Sequence, residues 1–237
     1  MEIRTVLFDF GHTLFDVAEP GRLVAQTATA AGFPIEPAEA LQLWESIASE
    51  AMTPGEMARQ RDISAEAHRS NWIRLLTPLE RVGNGLAEAV YESLLTPENW
   101  EAYADSGATL RALKAHGVSI GIVSDIGFDL RPLFSHHFAD EALVDHFVLS
   151  YEHGAVKPDP ILFEAALGAL DADPAQTLMV GDNPLTDGGA SALGISALIL
   201  PSAPRAGTRG LGAVLDLVGV RAADGDQSTT QLTGTHT

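Results

Sequence analysis

The stretch FDFGHTLF, residues 8–15, decides how the rest of the chain reads. It completes the segment Thr5–Phe8, which is short, apolar and bulky, as a strand buried on both faces of a sheet should be. The apolar run stops on one carboxylate, Asp9. A Gly-His-Thr turn follows before the chain becomes apolar again at Leu14 and Phe15. Charge at the mouth of a buried strand is costly unless it is paired or used. The question is what stands at the ends of the other strands.

Four more stretches read as strands: Ser119–Val123, His146–Leu149, Thr177–Val180 and Ser196–Leu200. Helical patterns separate the later ones. Residues 106–116 close on Gly117, residues 160–170 open with Pro160, residues 185–193 end before Gly194, and a short helix is expected at 209–218. This alternation predicts an α/β fold, a Rossmann-like parallel sheet with helices on both faces. Residues 17–98 carry no convincing strand. Ala, Glu, Leu and Arg dominate there, with turn signals at 32–34, 53–55, 77–78 and 83–85, so about four helices are expected as a small bundle. The expected division is a core of residues 1–16 and 99–221, an inserted helical cap of residues 17–98 with hinges near 15–20 and 96–102, and a disordered tail at 222–237.

Composition narrows the function. The formal net charge is −18, which leaves no basic field for nucleic acid. There is no cysteine, so disulfides, thiolate metal sites and a cysteine nucleophile are excluded. Only Lys114 and Lys157 are available to any reaction that needs a lysine. Neither a signal peptide nor a membrane span is legible, and the expectation is a soluble cytoplasmic protein, monomer or homodimer.

Ligands of an open parallel sheet bind beyond the carboxyl ends of its strands. The first strand ends at Asp9 and the second at Ser124-Asp125. The third is followed by EHGAVKPDP with Lys157, and the fourth ends in VGDNPLTD with Asp182 and Asp187. Each alone reads as a turn or a helix cap. Together and in order, DFGHTL, IVSD, VKPDP and VGDNPLTD resemble the four motifs of the haloacid dehalogenase superfamily over roughly residues 3–200, with the insertion matching that family's cap. The resemblance implies Asp9 as nucleophile, Ser124 and Lys157 holding the transferring group, and Asp182 with Asp187 holding Mg²⁺. The chemistry agrees. A carboxylate can attack phosphorus and split one displacement into two. Mg²⁺ takes hard oxygen ligands, which Asp9, the Gly11 carbonyl, Asp182 and Asp187 supply. Lys157 is a point charge suited to a carboxylate and a phosphate oxygen. Thr13 is expected to steady the nucleophile turn at the substrate, and Asn183 the metal loop.

The chain departs from the family pattern at residue 11. Family phosphatases carry a second acid two residues after the nucleophile; here that position is Gly11. Losing a general acid/base costs about 10²–10⁴ in rate. His12 is the adjacent substitute, weighed against its reading as a turn residue facing away. His68 and Asp16 are further candidates. The expected function is a Mg²⁺-dependent phosphohydrolase of a small phosphorylated metabolite, with substrate contacts from Arg61, Arg69 and Trp72. Two alternatives are a metal-independent dehalogenase and a catalytically silent binding protein. Schiff-base phosphonate chemistry from the cap is excluded, because residues 15–100 hold no lysine.

Overall fold

The computed structural model describes residues 2–139, 141–201 and 207–220, so the tail expected at 222–237 lies outside the described residues. Among the described residues, β1 (Thr5–Phe8), β4 (Ser119–Ser124), β5 (His146–Leu149), β6 (Thr177–Gly181) and β7 (Ser196–Ile199) form one parallel sheet in the order β5-β4-β1-β6-β7. The strand bearing Asp9 is therefore central. The alternation of β1 explains its unbroken apolar character. Val6 and Phe8 pack into one core with Ile120, Ile122 and Val180, while Leu7 packs into another with Val123, Met179, Leu162 and Phe163.

The helices α6 (Ser106–Ala115), α7 (Arg131–Phe138) and α10 (Gly212–Val218) cover the first face, and α9 (Pro160–Leu170) covers the second. A four-residue helix, α8 (Ser150–His153), follows β5 directly. Proline opens α9, and the Asp159 side chain caps it by accepting from the Ile161 N–H at 3.0 Å. Residues 187–193 form a 3₁₀-helix, Asp187–Leu193, because Gly188 and Gly189 favour no α-helix. The expected helix at 209–218 is confined to α10.

Between β2 (Phe15–Val17) and β3 (Trp100–Ala102) run α1 (Pro20–Ala30), α2 (Pro37–Ala51), α3 (Pro54–Met57), α4 (Ala65–Leu76) and α5 (Leu86–Leu94). Their apolar faces meet in a separate cluster that includes Val24, Trp44, Ile47, Leu76, Leu79 and Val90. The segments expected to be hinges are an antiparallel ribbon, with Phe15 opposite Ala102 and Val17 opposite Trp100. Three-residue strands are too short for periodicity to reveal. Helix α7 also escaped the sequence reading, since Pro132, His136 and His137 mask it. Its signal was the i, i+4, i+8 spacing of the buried Leu130, Phe134 and Phe138.

Candidate active site

Asp9 follows β1, and its N–H donates to the Val180 carbonyl at 2.9 Å, holding it beside the end of β6. Ser124 ends β4 and Asp182 follows β6, so parallel register brings all three to one edge. Lys157 arrives from the loop between α8 and α9. That loop is anchored where the Lys157 N–H donates to Asp125 Oδ1 at 2.8 Å. The Lys157 ammonium is enclosed and donates to Asp9 Oδ1 at 2.7 Å and Asp187 Oδ1 at 2.6 Å. Asp187 is wholly buried, and its other oxygen accepts from the Asn183 N–H at 3.0 Å. A side chain at residue 181 would meet the Asp187 carboxylate at 2.1 Å, so Gly181 is a requirement of this close approach.

Burial pushes the Asp9 carboxyl up to about 7; Lys157 pulls it down, and Asp187 and Asp182 push it further up. Burial works against the Lys157 charge, but Asp187 and Asp9 more than offset it, holding the ammonium above its ordinary range. One ammonium faces three carboxylates. Ligand oxygens of Asp9, Asp182 and Asp187 lie within 4.8 Å of one another. This all-oxygen donor set, short of positive charge, fits Mg²⁺.

Gly11 and His12 both line the cavity at Asp9. His12, with φ 54°, turns its half-exposed ring toward Asp16, Nδ1 to Oδ2 3.6 Å. The Asp16 carboxylate raises the proton affinity of His12, overcoming the opposing effect of burial. Asp16 is itself buried and accepts from the Val17 N–H at 2.8 Å and the Tyr103 hydroxyl at 3.4 Å. Arg209 Nε donates to the His12 carbonyl at 2.5 Å, a tie from 197 residues away that no local pattern announces.

The site opens into a cavity of about 410 Å³ between the sheet edge and the inserted helices. Of the residues expected here, Asp9, Gly11, His12, Ser124, Lys157, Asp182 and Asn183 line it, as do Asp16, Arg61, His68 and Trp72. Asp187 stands behind Lys157, off the wall. Two expectations need correction. Thr13 is fully enclosed and does not line the cavity, and its Oγ1 has no hydrogen-bond partner, because the tight turn on the Phe10 carbonyl directs it inward. Arg69 also stays off the wall and pairs with Glu88 and Glu92 on the exposed side of α4 and α5.

His68 is buried, with Nδ1 3.0 Å from the Tyr91 hydroxyl. Burial, with the Arg61 charge adding to it, lowers His68 to about 3, so its ring is uncharged at neutral pH and is no proton donor of the kind considered above. Sequence reasoning missed Asp62. It lies in the loop after α3, buried on the cavity wall, and its carbonyl accepts from the Ser150 hydroxyl at 2.6 Å. Asp62 Oδ2 lies 3.4 Å from Arg61 Nε, and Oδ1 lies 3.7 Å from His68 Nε2 with no hydrogen-bond partner. Burial pushes the Asp62 carboxyl up to about 7, against the pull of Arg61.

A family model described as haloacid dehalogenase-like hydrolase matches residues 3–193. The glyceraldehyde 3-phosphate phosphatase of Methanothermobacter thermautotrophicus is 28% identical over 211 residues, 84% of this chain and 86% of that protein. Haloacid dehalogenase-like hydrolase domain-containing protein 3 of Danio rerio is 34% identical over 105 residues, 43% of this chain and 42% of that protein, so the match spans less than half of that relative. Among solved structures, the HAD-hydrolase YfnB from Bacillus subtilis has a TM-score of 0.69 at 17% identity, covering 93% of this chain and 100% of that one. The L-2-haloacid dehalogenase RSc1362 has a TM-score of 0.66 at 21% identity, covering 92% and 100%. At these identities the solved structures speak to the fold alone.

Proposed function

The chain belongs to the haloacid dehalogenase-like hydrolase family, and from that premise we propose that it is a Mg²⁺-dependent phosphohydrolase of a small phosphorylated metabolite, with residues 17–98 as its cap. The observation that carries this reading is the cluster of Asp9, Asp182 and Asp187 oxygens around a single ammonium. A carboxylate trio held that close can hold a divalent cation, and a phosphate dianion approaching it needs one. The phosphatase named among the relatives supports the reading.

Asp9, Asp182, Asp187 and the Gly11 carbonyl would hold the metal, with Lys157 seated between Asp9 and Asp187. When bound, Mg²⁺ supplies charge neutralisation for the phosphoryl oxygens and the attacking carboxylate. An Asp9 oxygen forms a bond to phosphorus as the ester P–O bond breaks. Lys157 favours the ionised form of Asp9 against its burial and meets a phosphoryl oxygen, and Ser124 donates to another. His12, oriented by Asp16, gives its proton to the departing alkoxide. In the second step His12 takes a proton from water as that water attacks phosphorus, which releases phosphate and restores Asp9. His12 thus does the work of the acid missing at Gly11.

The test is phosphate release from an aryl phosphate with and without Mg²⁺. Release that requires the metal, disappears in Asp9→Asn and stops on adding EDTA supports the reading. Metal-free halide release from a haloacid, with no phosphate release, overturns it in favour of dehalogenation.

A further inference from the structure

We propose that the half of the cavity away from Asp9 selects a flat, uncharged aromatic group, so that the substrate is the phosphate ester of an aromatic or aryl-alkyl alcohol and not of a polyhydroxylated one; this rests on the phosphohydrolase reading above. The two halves of the cavity differ in chemistry. Asp9, Ser124, Lys157 and Asp182 crowd one end. The walls beyond are supplied mainly by the inserted helices and the ribbon, and all three tryptophans of the chain line them.

Those rings are held in place. Trp100 donates its Nε1–H to the Leu94 carbonyl at 2.8 Å and packs 4.9 Å from the Phe10 centroid and 6.2 Å from Phe128. Trp72 carries the Arg61 guanidinium 5.3 Å from its ring centroid. Met52 and Met57 also line this half, and their flexible thioethers fill gaps beside an aromatic ligand.

The polar groups on this side are few and partly engaged: Asp62 Oδ1 and Arg61 Nε are left without a hydrogen-bond partner, and Gln60 also lines the wall. Arg61 Nη1–H donates to the Ala51 carbonyl at 2.6 Å and the guanidinium pairs with Asp62, while His68 is taken up by Tyr91. Among the described residues Arg61 is the one cation here and is paired with Asp62, and His68 is uncharged at neutral pH, so the corner holds no cluster of positive groups for a second anion. A sugar has more hydroxyls than these few groups can meet among the tryptophan and methionine side chains, and each one left unpaired costs on the order of tenfold or more in affinity. A cavity of about 410 Å³ has room for a phosphate and a ring system.

The experiment compares phenethyl phosphate with glycerol phosphate, whose leaving groups are both primary alkoxides, so that the alcohol body and not its reactivity is tested. The expected result is a kcat/KM at least about tenfold higher for phenethyl phosphate, a preference that falls in Trp72→Ala and returns in Trp72→Phe. Naphthol, which carries no phosphate, tests the chamber alone through quenching of tryptophan fluorescence, and saturable quenching weakened in Trp72→Ala is expected. Equal turnover of the two esters, or no saturable naphthol binding to the folded protein, overturns the proposal. Naphthol binding with no phosphate release from any ester removes the phosphohydrolase reading and, with it, the substrate class, while leaving an aromatic-binding chamber.

Discussion

Lys157 and Asp9, 148 positions apart in sequence, meet at 2.7 Å in a place almost closed to solvent. The contact makes the nucleophile and its counter-charge one unit, since neither group is tolerable there alone. Asp187 holds the other side of the same ammonium at 2.6 Å.

Lys157→Met therefore leaves the carboxylate cluster without its counter-charge. Phosphate release should fall by about 10²-fold or more, and folding stability by about 3–5 kcal/mol. Thermal melts with and without Mg²⁺ check this, and added metal should recover part of the loss. A variant with unchanged melting and turnover would show that the pair has no role in either.

Residue 11 is open space: a Cβ there meets no atom within 4 Å, and the backbone is not in the glycine-favoured region. Gly11→Asp is thus sterically permitted and restores a carboxyl beside the nucleophile. Turnover of alkyl phosphates should rise by about tenfold or more. His12→Ala in the native background should lower the same rates, and lower them less once Gly11→Asp is present. If His12→Ala leaves alkyl phosphate turnover unchanged, the proton comes from elsewhere.

Asp62 should make stability depend on pH. Its folded-state pKa, about 7, lies above the ordinary 3.8, with Arg61, His68, Asp125 and Lys157 around it. From about pH 4 to about pH 7 the unfolded chain gives up this proton while the folded one keeps it. Stability therefore declines as pH rises, and the full penalty stands above about pH 7. Asp62→Asn removes the penalty. Its stability relative to the parent should improve from acid to near pH 8 by on the order of 2–4 kcal/mol, read from denaturant titrations across pH. A difference that is flat with pH would contradict the burial argument.

Gly127 marks the close approach of the core to the inserted helices, since a Cβ there would meet the His68 Cβ at 2.1 Å. Gly127→Ala should cost about 1–3 kcal/mol through overpacking. Combining it with His68→Gly, which removes that Cβ, should cost less than the sum of the two changes, measured as a double-mutant cycle by chemical denaturation. Strict additivity would mean that the two surfaces do not bear on one another.

Much of the fold was legible in the chain itself. Strands buried on both faces leave continuous apolar runs, and the five stretches beginning at Thr5, Ser119, His146, Thr177 and Ser196 all became strands of one sheet. The order in which acid, hydroxyl, lysine and acidic pair follow those strands announced a common edge, because parallel strands share one. The ribbon of β2 and β3 was not legible, being too short to show a period. Neither was the recruitment of Asp62 or Arg209, whose partners are Ser150 and the His12 carbonyl, far off in sequence.

The sequence by itself thus determined the sheet, the edge where the chemistry sits and the residue types at that edge, since these follow from local period and chain order. Tertiary structure alone decided which of those groups share a cavity and in what state. It turned Thr13 inward, drew Arg69 away to Glu88 and Glu92, kept His68 uncharged and placed Asp62 on the wall. The reason is that burial and proton affinity depend on neighbours brought from distant parts of the chain, and a linear pattern carries no record of which segments will meet.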